Sequence, residues 1–506
     1  MQLFLSAGFI LIVVLWGIVA PASLGAMFDL ALATITRNFG WFYLWVVLAL
    51  VVFALFLAFS RYGNLKLGNE DDEPEFSLGA WFAMLFAAGM GIGLVFWGVA
   101  EPMSHYTIAP PGIAANTPEA ANAAMRYSFF HWGVHPWAVY SVVALAIAFF
   151  QYRRQSVALV STSTNALPWR PVQRLSGLFN GLAVIATAFG VAASLGMGAL
   201  QINSGLQAVF GLTVSKTAQV AIILAATVLF LASALTGVTR GIKWLSSFNM
   251  VIAALLATAV FLLGPTIVII DTFTNTLGSY LSEFVRMSLR MTPFRDSSWV
   301  GGWTVFYWAW WISWSPFVGL FIARVSHGRT IREFITMTVF APSMAAFLWF
   351  SIFGGTALHM EIWQGIPIAE AVERDVSTAL FTMFGAMPLS LIMSLVATML
   401  VLVFFVTSAD SATLVLGMMS TGGNPNPPAK IKTIWGVLVA GIAISLLLSG
   451  GIEAVQTATI VFALPFAFVI LLMVISLWRA IREDWREEQR KERELRQRMR
   501  QMVSRQ

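Results

Sequence analysis

A dense group of tryptophans lies in the sequence YWAWWISWSPF, residues 307–317. At about 100° per residue on a helix, Trp310, Trp311 and Trp314 fall on one face, together with Phe317. Indole faces attract cations, and they suit quaternary ammonium groups because such groups have no N–H to donate. Each ring contributes about 0.5–2 kcal/mol, so a few rings give micromolar to millimolar affinity. The pattern predicts a reversible site for an onium ion.

Tryptophans in membrane helices also form interfacial belts or packed seams, and this is the alternative explanation. Here the group extends two turns into an apolar segment and includes Ser313, Ser315 and Pro316, which a belt does not need. Ser and Pro together indicate a loosened helix that faces protein or a water-filled cavity, so Pro316 is a candidate hinge. No Asp or Glu lies between residues 297 and 332, so a primary amine would find no carboxylate on this helix.

The stretch LFAAGMGIGLVFWGVAEP, residues 85–102, is the second candidate segment. Its closely spaced Gly89, Gly91 and Gly93 cost a helix roughly 2–3 kcal/mol relative to alanine, so we expect the helix to unwind there and to act as a hinge. The glycines alone are equally consistent with close packing between membrane helices. Unwound carbonyls near the bilayer midplane coordinate sodium in inverted-repeat carriers, which favours an ion site.

Polar side chains interrupt the apolar stretch LVLVFFVTSADSATLVLG, residues 400–417. Such groups are costly at membrane depth unless they have partners. The hydroxyls of Thr407 and Ser408 could bond to their own helix, or they could bind sodium together with carbonyls of the glycine-rich segment. Asp410 is a possible gate or a helix-end stabiliser.

The segment RYSFFHWGVHPWAVY, residues 126–140, adds three aromatic candidates around a kinking proline, namely Trp132, Trp137 and Tyr140. On one continuous helix they spread over about 140°, so they cannot all face one cavity. His131 and His135 are interpreted as packing or interface residues rather than metal ligands, because no carboxylate cluster accompanies them in the sequence.

These segments must be positioned by membrane helices. The chain of 506 residues is 58% hydrophobic and 11% charged, against about 25% charged in soluble domains. Apolar windows of about 20 residues recur, which predicts an all-α integral membrane protein. The predicted spans are 3–22, 41–60, 79–100, 127–150, 179–200, 218–238, 249–270, 303–324, 335–356, 384–408, 431–450 and 456–478.

The spans suggest an internal organisation. Residues 1–78 would form two peripheral helices, and 79–270 and 303–478 two inverted halves, each of which starts with an interrupted helix. Residues 271–300 are too polar to cross and are predicted to form an amphipathic helix on the outer surface.

Charge sets the predicted orientation. Lys and Arg concentrate in alternate loops, which predicts that both termini are cytoplasmic. The net charge of +6 comes largely from residues 479–506, a predicted charged helix that would attract anionic lipid and gives no hint of nucleic acid. This tail is either a plain solvated helix or a regulatory segment that senses lipid charge and ionic strength. The chain has no cysteine, which excludes disulfides and thiolate chemistry.

Among function classes, a secondary transporter fits these features best. An intramembrane enzyme would need a His/Asp/Ser constellation or HExxH-type spacing, and the five histidines are scattered. A channel is disfavoured because a tryptophan group is a binding device and no filter repeat is visible. No enzymatic activity is therefore expected.

Four stretches together resemble the betaine/carnitine/choline transporter family, most closely its bacterial sodium-coupled glycine betaine carriers: AAGMGIGLVFWGVAEP, FFHWGVHPWAVY, WTVFYWAWWISWSPFVGLFIARVSHGRTIREF and FFVTSADS. The resemblance covers the chain from about residue 40 to 480. It implies twelve helices with a five-plus-five inverted-repeat core, usually assembled as a homotrimer in the bacterial inner membrane. It also implies sodium as the coupling ion, no other cofactor, and osmotic activation through a basic C-terminal helix.

The resemblance also implies site residues. The substrate cage would comprise Trp310, Trp311, Trp314, Trp132, Trp137 and Tyr140, with Trp308 on the exit route. One sodium would lie between the carbonyls of Ala87, Met90 and Phe404 and the hydroxyls of Thr407 and Ser408. A second sodium would use Ala88, Met90, Thr187, Ser194 and Phe317.

Three positions depart from or divide the family pattern. Val191 stands where the betaine carriers place a second hydroxyl one turn after Thr187, which puts the second sodium in doubt. Gly93 stands where the proton-coupled choline branch tends to carry Asp, and Val318 where the carnitine exchangers carry Met. Both of the latter favour sodium-coupled uptake of glycine betaine. Choline, carnitine, ectoine and dimethylsulfoniopropionate stay open as substrates, because all present a soft cation.

Overall fold

The computed structural model describes residues 2–89, 91–236, 239–294 and 298–503, and within these ranges the regular structure is helical apart from one isolated bridge between Lys66 and Thr330. The first helices are α1 (Gln2–Val19), α2 (Pro21–Phe59), α3 (Leu78–Gly89), α4 (Ile92–Thr107), α5 (Pro118–Trp132), α6 (Val134–Ala148), α7 (Arg170–Arg174), α8 (Ser176–Phe210), α9 (Lys216–Thr236), α10 (Thr239–Leu263) and α11 (Thr266–Ser288). The others are α12 (Ser298–Val300), α13 (Phe306–Arg324), α14 (Ile331–Gln364), α15 (Ile368–Arg374), α16 (Ala379–Gly385), α17 (Ser390–Ser420), α18 (Ala429–Gly450) and α19 (Ile452–Val503).

The predicted all-α membrane class is confirmed. Nine helices in the described chain are long and apolar enough to cross a bilayer, or ten if α10 and α11 are counted as one bent span. Several of the twelve predicted spans differ from a continuous long helix. The span 3–22 is a shorter apolar helix, 79–100 is divided between α3 and α4, and 127–150 is broken at Gly133 between α5 and α6. The span 249–270 is bent by 109° between α10 and α11, and 384–408 begins before α17. The count of twelve and the inverted repeat stay predictions.

Several helices extend past the predicted spans. α17 continues to Ser420, well beyond the predicted end at 408, so Asp410 lies in the helix interior. α19 runs without interruption from Ile452 to Val503 and joins the last span to the charged tail. α11 covers most of the predicted surface segment, and its location at the membrane surface stays a prediction.

α13 does not loosen where it was expected to. The helix continues through Pro316, which removes the N–H that would bond the carbonyl of Ile312. The Ser315 hydroxyl donates to that carbonyl instead, at 2.7 Å, and the Ser313 hydroxyl donates to the Trp310 carbonyl at 2.8 Å. The predicted loosening at 313–316 is therefore wrong, because the serines satisfy the backbone. The departure from α-helical geometry is a π-helical turn just before α13.

α13 lies at the centre of the site and packs against α6, α8 and α19. Its approach to α8 depends on Gly190, where a Cβ would lie 2.5 Å from Ser313 Oγ and 2.9 Å from Trp314 Cδ1. Large aromatic side chains of α13, including Trp308 and Trp310, are fully buried. The tryptophan face is thus held inside the protein.

Candidate functional site

A helix break brings aromatic residues of α5 and α6 to the site. α5 ends at Trp132 and α6 begins at Val134, so the break falls at Gly133 rather than at Pro136. Pro136 has no N–H to bond the Trp132 carbonyl. A Cβ at Gly133 would lie 2.6 Å from both the Phe129 carbonyl oxygen and a ring carbon of Phe347, so only glycine fits. The angular spread predicted for one continuous helix therefore does not apply.

Four rings meet at the end of this break, and we call Trp132, Tyr140, Trp310 and Trp311 the aromatic cage. Trp310 and Trp311 are stacked, with ring centroids 4.9 Å apart and 14° between their planes. Trp132 lies edge-on to Trp311 at 4.9 Å and 76°, and Tyr140 at 5.9 Å and 82°. Rings on adjoining, nearly perpendicular sides are the arrangement that holds an onium group.

The glycine-rich segment lies directly against the cage. The helix is interrupted between Gly89 and Ile92, and α4 begins after Gly91. A Cβ at Gly93 would lie 2.6 Å from Trp310 Cη2 and 3.0 Å from Trp132 Cη2. Gly93 therefore lets the cage rings close over the start of α4, whereas hinge motion at these glycines stays a prediction.

The other predicted cage residues lie further away. Trp137 contacts the cage through Tyr140, with ring centroids 5.6 Å apart. Trp314 is directed towards α8, where its indole N–H donates to the Gly190 carbonyl at 2.8 Å. Trp308 stacks on His135 at 5.3 Å and 12°, in a second aromatic group, so its place on an exit route stays a prediction.

The first predicted sodium site is described only in part. Met90 lies outside the described residues, and only the backbone of Ala87 and Ala88 is described. The Thr407 hydroxyl donates to the Val403 carbonyl at 2.9 Å, which is the bond to its own helix that the sequence left open. Phe404 and Ser408 lie beside it on α17. An ion at this site would have to use the free lone pairs of Thr407 Oγ1.

Two hydroxyl groups of the second predicted sodium site lie far apart along one helix. Thr187 and Ser194 of α8 are buried, and among the described residues their hydroxyls have no hydrogen-bond partner. They lie seven residues apart on one continuous helix, a rise of about 10 Å, whereas oxygen ligands of one ion lie within about 5 Å of each other. One ion cannot be bound by both hydroxyls, so that pairing is wrong.

Asp410 lies in the middle of α17, so its assignment as a helix-end stabiliser is wrong. Its carboxyl is 7% exposed, and Oδ1 has no hydrogen-bond partner in the described part of the chain. A gating role stays a prediction.

A buried polar cluster behind the cage was missed in the sequence. His131 Nδ1 lies 2.7 Å from Glu101 Oε1, and His105 Nε2 lies 3.2 Å from the same oxygen. The Trp132 indole N–H donates to Glu101 Oε2 at 2.7 Å, and the Tyr307 hydroxyl does so at 2.5 Å. The expectation that no carboxylate accompanies His131 is therefore wrong.

The cluster could have been found from its composition. Glu101 follows a continuous apolar run, and an ionisable residue at membrane depth is a functional hypothesis by default. A carboxylate oxygen of Glu101 and ring nitrogens of His105 and His131 all lie within 4.8 Å of one another, so these three residues could also hold a metal ion. His135, in contrast, is a packing residue as predicted: it stacks on Trp308, and its Nε2 lies 2.7 Å from Ser288 Oγ.

The charged end of α19 is fixed to the turn that follows α6. Arg153 Nε donates to Asp484 at 2.8 Å, and Arg154 lies 2.6 Å from the same carboxylate. Arg153 also forms an ion pair with Glu488. Further along α19, three ion pairs at i,i+4 spacing form: Glu487/Lys491 at 3.0 Å, Glu492/Arg496 at 2.5 Å and Arg490/Glu494 at 3.9 Å.

Comparison with known proteins matches nearly the whole chain. A family model for betaine/carnitine/choline family transporters matches residues 2–486. The glycine betaine transporter OpuD of Bacillus subtilis (strain 168) is 48% identical over 476 residues, 94% of this chain and 92% of its own length. The ectoine/hydroxyectoine transporter of Virgibacillus pantothenticus is 44% identical over 481 residues, which cover 95% of this chain and 96% of its own length. A glycine betaine transporter of Acinetobacter baylyi is 42% identical over 452 residues, which cover 89% of this chain and 68% of its own length.

Proposed function

Because this chain belongs to the betaine/carnitine/choline transporter family, we propose that it is a sodium-coupled symporter that imports glycine betaine. The family consists of transporters, and the chain is a multi-pass membrane transporter rather than an enzyme. The aromatic cage is the observation that carries the choice of substrate. Its perpendicular rings suit a trimethylammonium group, which only dispersion and cation–π attraction can hold.

The carboxylate of glycine betaine also finds suitable groups. Trp310 Nε1 is buried without a hydrogen-bond partner among the described residues, so it can donate to a ligand. α4 begins at Ile92, next to Gly93, which lies against the cage rings of Trp310 and Trp132. In the broken helices of transporters, helix N-termini point at anionic groups of the substrate. A zwitterion would thus have its cation on the rings and its anion towards these N–H groups.

Sodium coupling is the finer part of the proposal. The first ion would be bound by carbonyls of Ala87, Met90 and Phe404 and by the hydroxyls of Thr407 and Ser408, and a second would use Thr187. Glycine betaine carries no net charge, so two sodium ions entering at 100 mV contribute about 4.6 kcal/mol before any sodium gradient. That supports accumulation on the order of a thousandfold, against about fiftyfold for one ion.

The proposal also includes the membrane topology, the oligomeric state and the role of the tail. Twelve spans, two peripheral and ten in two inverted halves, would lie in the bacterial inner membrane with both termini cytoplasmic, assembled as a homotrimer. The charged tail would bind anionic lipid and regulate transport in response to osmotic stress.

Ectoine is a second candidate substrate, because one relative at 44% identity is an ectoine/hydroxyectoine transporter. Its delocalised cation would meet the same rings. A competition panel of glycine betaine, ectoine, choline, carnitine and dimethylsulfoniopropionate ranks these possibilities.

Uptake into proteoliposomes tests the proposal. We expect radiolabelled glycine betaine to accumulate when a sodium gradient is imposed, and not when potassium replaces sodium. Accumulation driven equally well without sodium would reject the coupling, and failure of every onium solute to be taken up would reject the substrate class. Measuring the charge moved per betaine would separate one sodium ion from two.

A further inference from the structure

Glu101 is a fully buried carboxylate of α4 that the proposed transport mechanism has not used. Four side chains converge on it. Oε2 accepts from the Trp132 indole at 2.7 Å and from the Tyr307 hydroxyl at 2.5 Å. Oε1 lies 2.7 Å from His131 Nδ1 and 3.2 Å from His105 Nε2.

These partners suit a charged carboxylate. An indole N–H can only donate, and a neutral imidazole can present an N–H on either nitrogen. His131 Nε2 lies 3.1 Å from the Thr304 hydroxyl, which can accept or donate as the tautomer requires. A carboxylate that accepts from four donors has the hydrogen bonds that offset the loss of water. Within the described residues its partners are indole, hydroxyl and imidazole groups, so with both imidazoles neutral the charge is satisfied but not cancelled.

The carboxylate lies directly behind the cage. The Trp132 ring is one wall of the cage, and the opposite end of the same indole is bonded to Glu101. Tyr307 connects the carboxylate to the cage in a second way, because its ring is 6.0 Å from that of Trp311 at 25°. Glu101 is therefore separated from the ligand position by the width of one ring. A negative charge at this depth acts in a low dielectric, and its hydrogen bond to the indole also increases the electron density of the ring face.

We propose that Glu101 is a specificity-determining residue, which positions Trp132 and supplies a fixed negative charge behind the cage, so that a permanent cation is preferred over a neutral group of the same shape. The inference rests on the proposed function, since it concerns the ligand of the same cage. It differs from the aromatic mechanism alone, in which the rings would provide the whole preference.

A pair of ligands and a pair of variants test this. Glycine betaine and 3,3-dimethylbutyrate share their shape and their carboxylate, and differ only in a cationic nitrogen against a neutral carbon. Their affinities for purified wild-type protein are compared with those for Glu101→Gln and Tyr307→Phe. Glu101→Gln removes the charge and keeps the shape, and the histidine tautomers can adapt to its amide. Tyr307→Phe removes one hydrogen bond and keeps the charge.

We expect the preference for glycine betaine to fall on the order of tenfold in Glu101→Gln. This factor corresponds to the interaction between unit charges about 10 Å apart at an effective dielectric constant of about 20. In Tyr307→Phe the preference should stay within about twofold of wild type. An unchanged preference in Glu101→Gln, or an equal fall in both variants, overturns the inference. If wild-type protein does not bind glycine betaine at all, the proposed function fails instead, so the two failures are distinguishable.

Infrared spectroscopy keeps the inference testable if Glu101→Gln does not fold. A protonated buried carboxylic acid has a C=O stretching band that an ionised carboxylate lacks. Among the described residues Asp410 is the other buried acid, and Glu488 of the tail is a further acid that can hold a proton, so the spectrum of the Asp410→Asn, Glu488→Gln double variant is compared with that of the wild type. Absence of a remaining protonated-acid band in the double variant supports a charged Glu101, and a band that persists there overturns it.

Discussion

The indole N–H of Trp311 donates to the main-chain carbonyl of His131 across 2.9 Å. His131 is in the last turn of α5, next to the break at Gly133, where carbonyls lose their usual helical donors. The break therefore does two things at once: it turns Trp132 into the cage and frees a carbonyl that fixes the orientation of Trp311. A side chain that is oriented before the ligand arrives loses less entropy on binding.

Replacement of Trp311 tests the cage. We expect Trp311→Leu to abolish measurable glycine betaine uptake, because it removes both a ring face and the hydrogen bond to His131. Trp45, which is 55% exposed on α2, provides the matched control, and Trp45→Leu should transport like wild type. Both proteins are assayed for uptake and for a monodisperse profile in detergent. Wild-type affinity in a folded Trp311→Leu protein would contradict the cage assignment.

Gly93 offers a steric test of the same site. We expect Gly93→Ala to weaken glycine betaine affinity at least about tenfold, because its Cβ would lie 2.6 Å from Trp310 Cη2 and must displace the ring. Gly79→Ala in α3 is the control, since no atom of the described residues lies within 4 Å of its Cβ position. Binding is measured by isothermal titration. An unaltered affinity in Gly93→Ala would show that the Trp310 ring moves away at no cost.

The cage was predictable because its members are rare residues at helical spacing. Trp310 and Trp311 are adjacent in the chain, and composition alone indicates cation binding. Glu101 has one partner on its own helix, His105 four residues later, and this local pair was overlooked. Its other partners come from α5 and α13, as much as 206 residues away in sequence, and no local pattern connects those residues.

Helix breaks were predicted less well than cage residues, for a physical reason. A proline or glycine in the sequence indicates only that a helix is less stable at that position. Tertiary contacts decide whether the helix breaks there or continues. Pro316 is accommodated because the Ser315 hydroxyl bonds the freed carbonyl. The break at Gly133 is fixed by Phe347, which lies on a distant helix and closes the space for any side chain.

The sodium site can be tested with two threonines of α17. Thr407 and Thr413 are both buried, and each hydroxyl bonds a carbonyl of its own helix, at 2.9 and 2.8 Å. We expect Thr407→Val to raise the half-saturating sodium concentration about tenfold, because the ion loses one of its ligands. Thr413→Val should leave it unchanged, because only Thr407 belongs to the proposed site. Equal sodium dependence in the two variants would remove Thr407 from the ion site.

Truncation of α19 separates a regulatory tail from a plain solvated helix. Deletion of residues 484–506 removes Asp484 and Glu488, which pair with Arg153 and Arg154, whereas deletion of 491–506 keeps both carboxylates. We expect both proteins to transport glycine betaine, and only the longer deletion to lose the dependence of uptake on osmolality. Uptake is measured in proteoliposomes over a series of external osmolalities. An unchanged activation curve in the longer deletion would reject a regulatory role.

The contact between the tail and Arg153 should also depend on pH. Burial and the neighbouring Glu70 carboxyl raise the pKa of Glu488 from its ordinary 4.5 to about 7. The docked tail therefore binds a proton that the free tail does not, so docking is stabilised below the free pKa and this contribution is lost as pH rises through about 7. Because the side chain is partly exposed, we expect a change of ~1 kcal/mol between pH 6 and 8.

Spin labels measure this docking directly, because the chain has no native cysteine to interfere. Labels at Val157→Cys and Arg486→Cys report the distance between the turn after α6 and the tail, and we expect the longer distances to gain population at pH 8. Glu488→Gln should remove most of the pH dependence. Glu487→Gln is the matched control, because the Glu487 carboxylate pairs with Lys491 and has a lowered pKa, so it stays charged across this range. Equal pH dependence in all three proteins would assign the effect to another group.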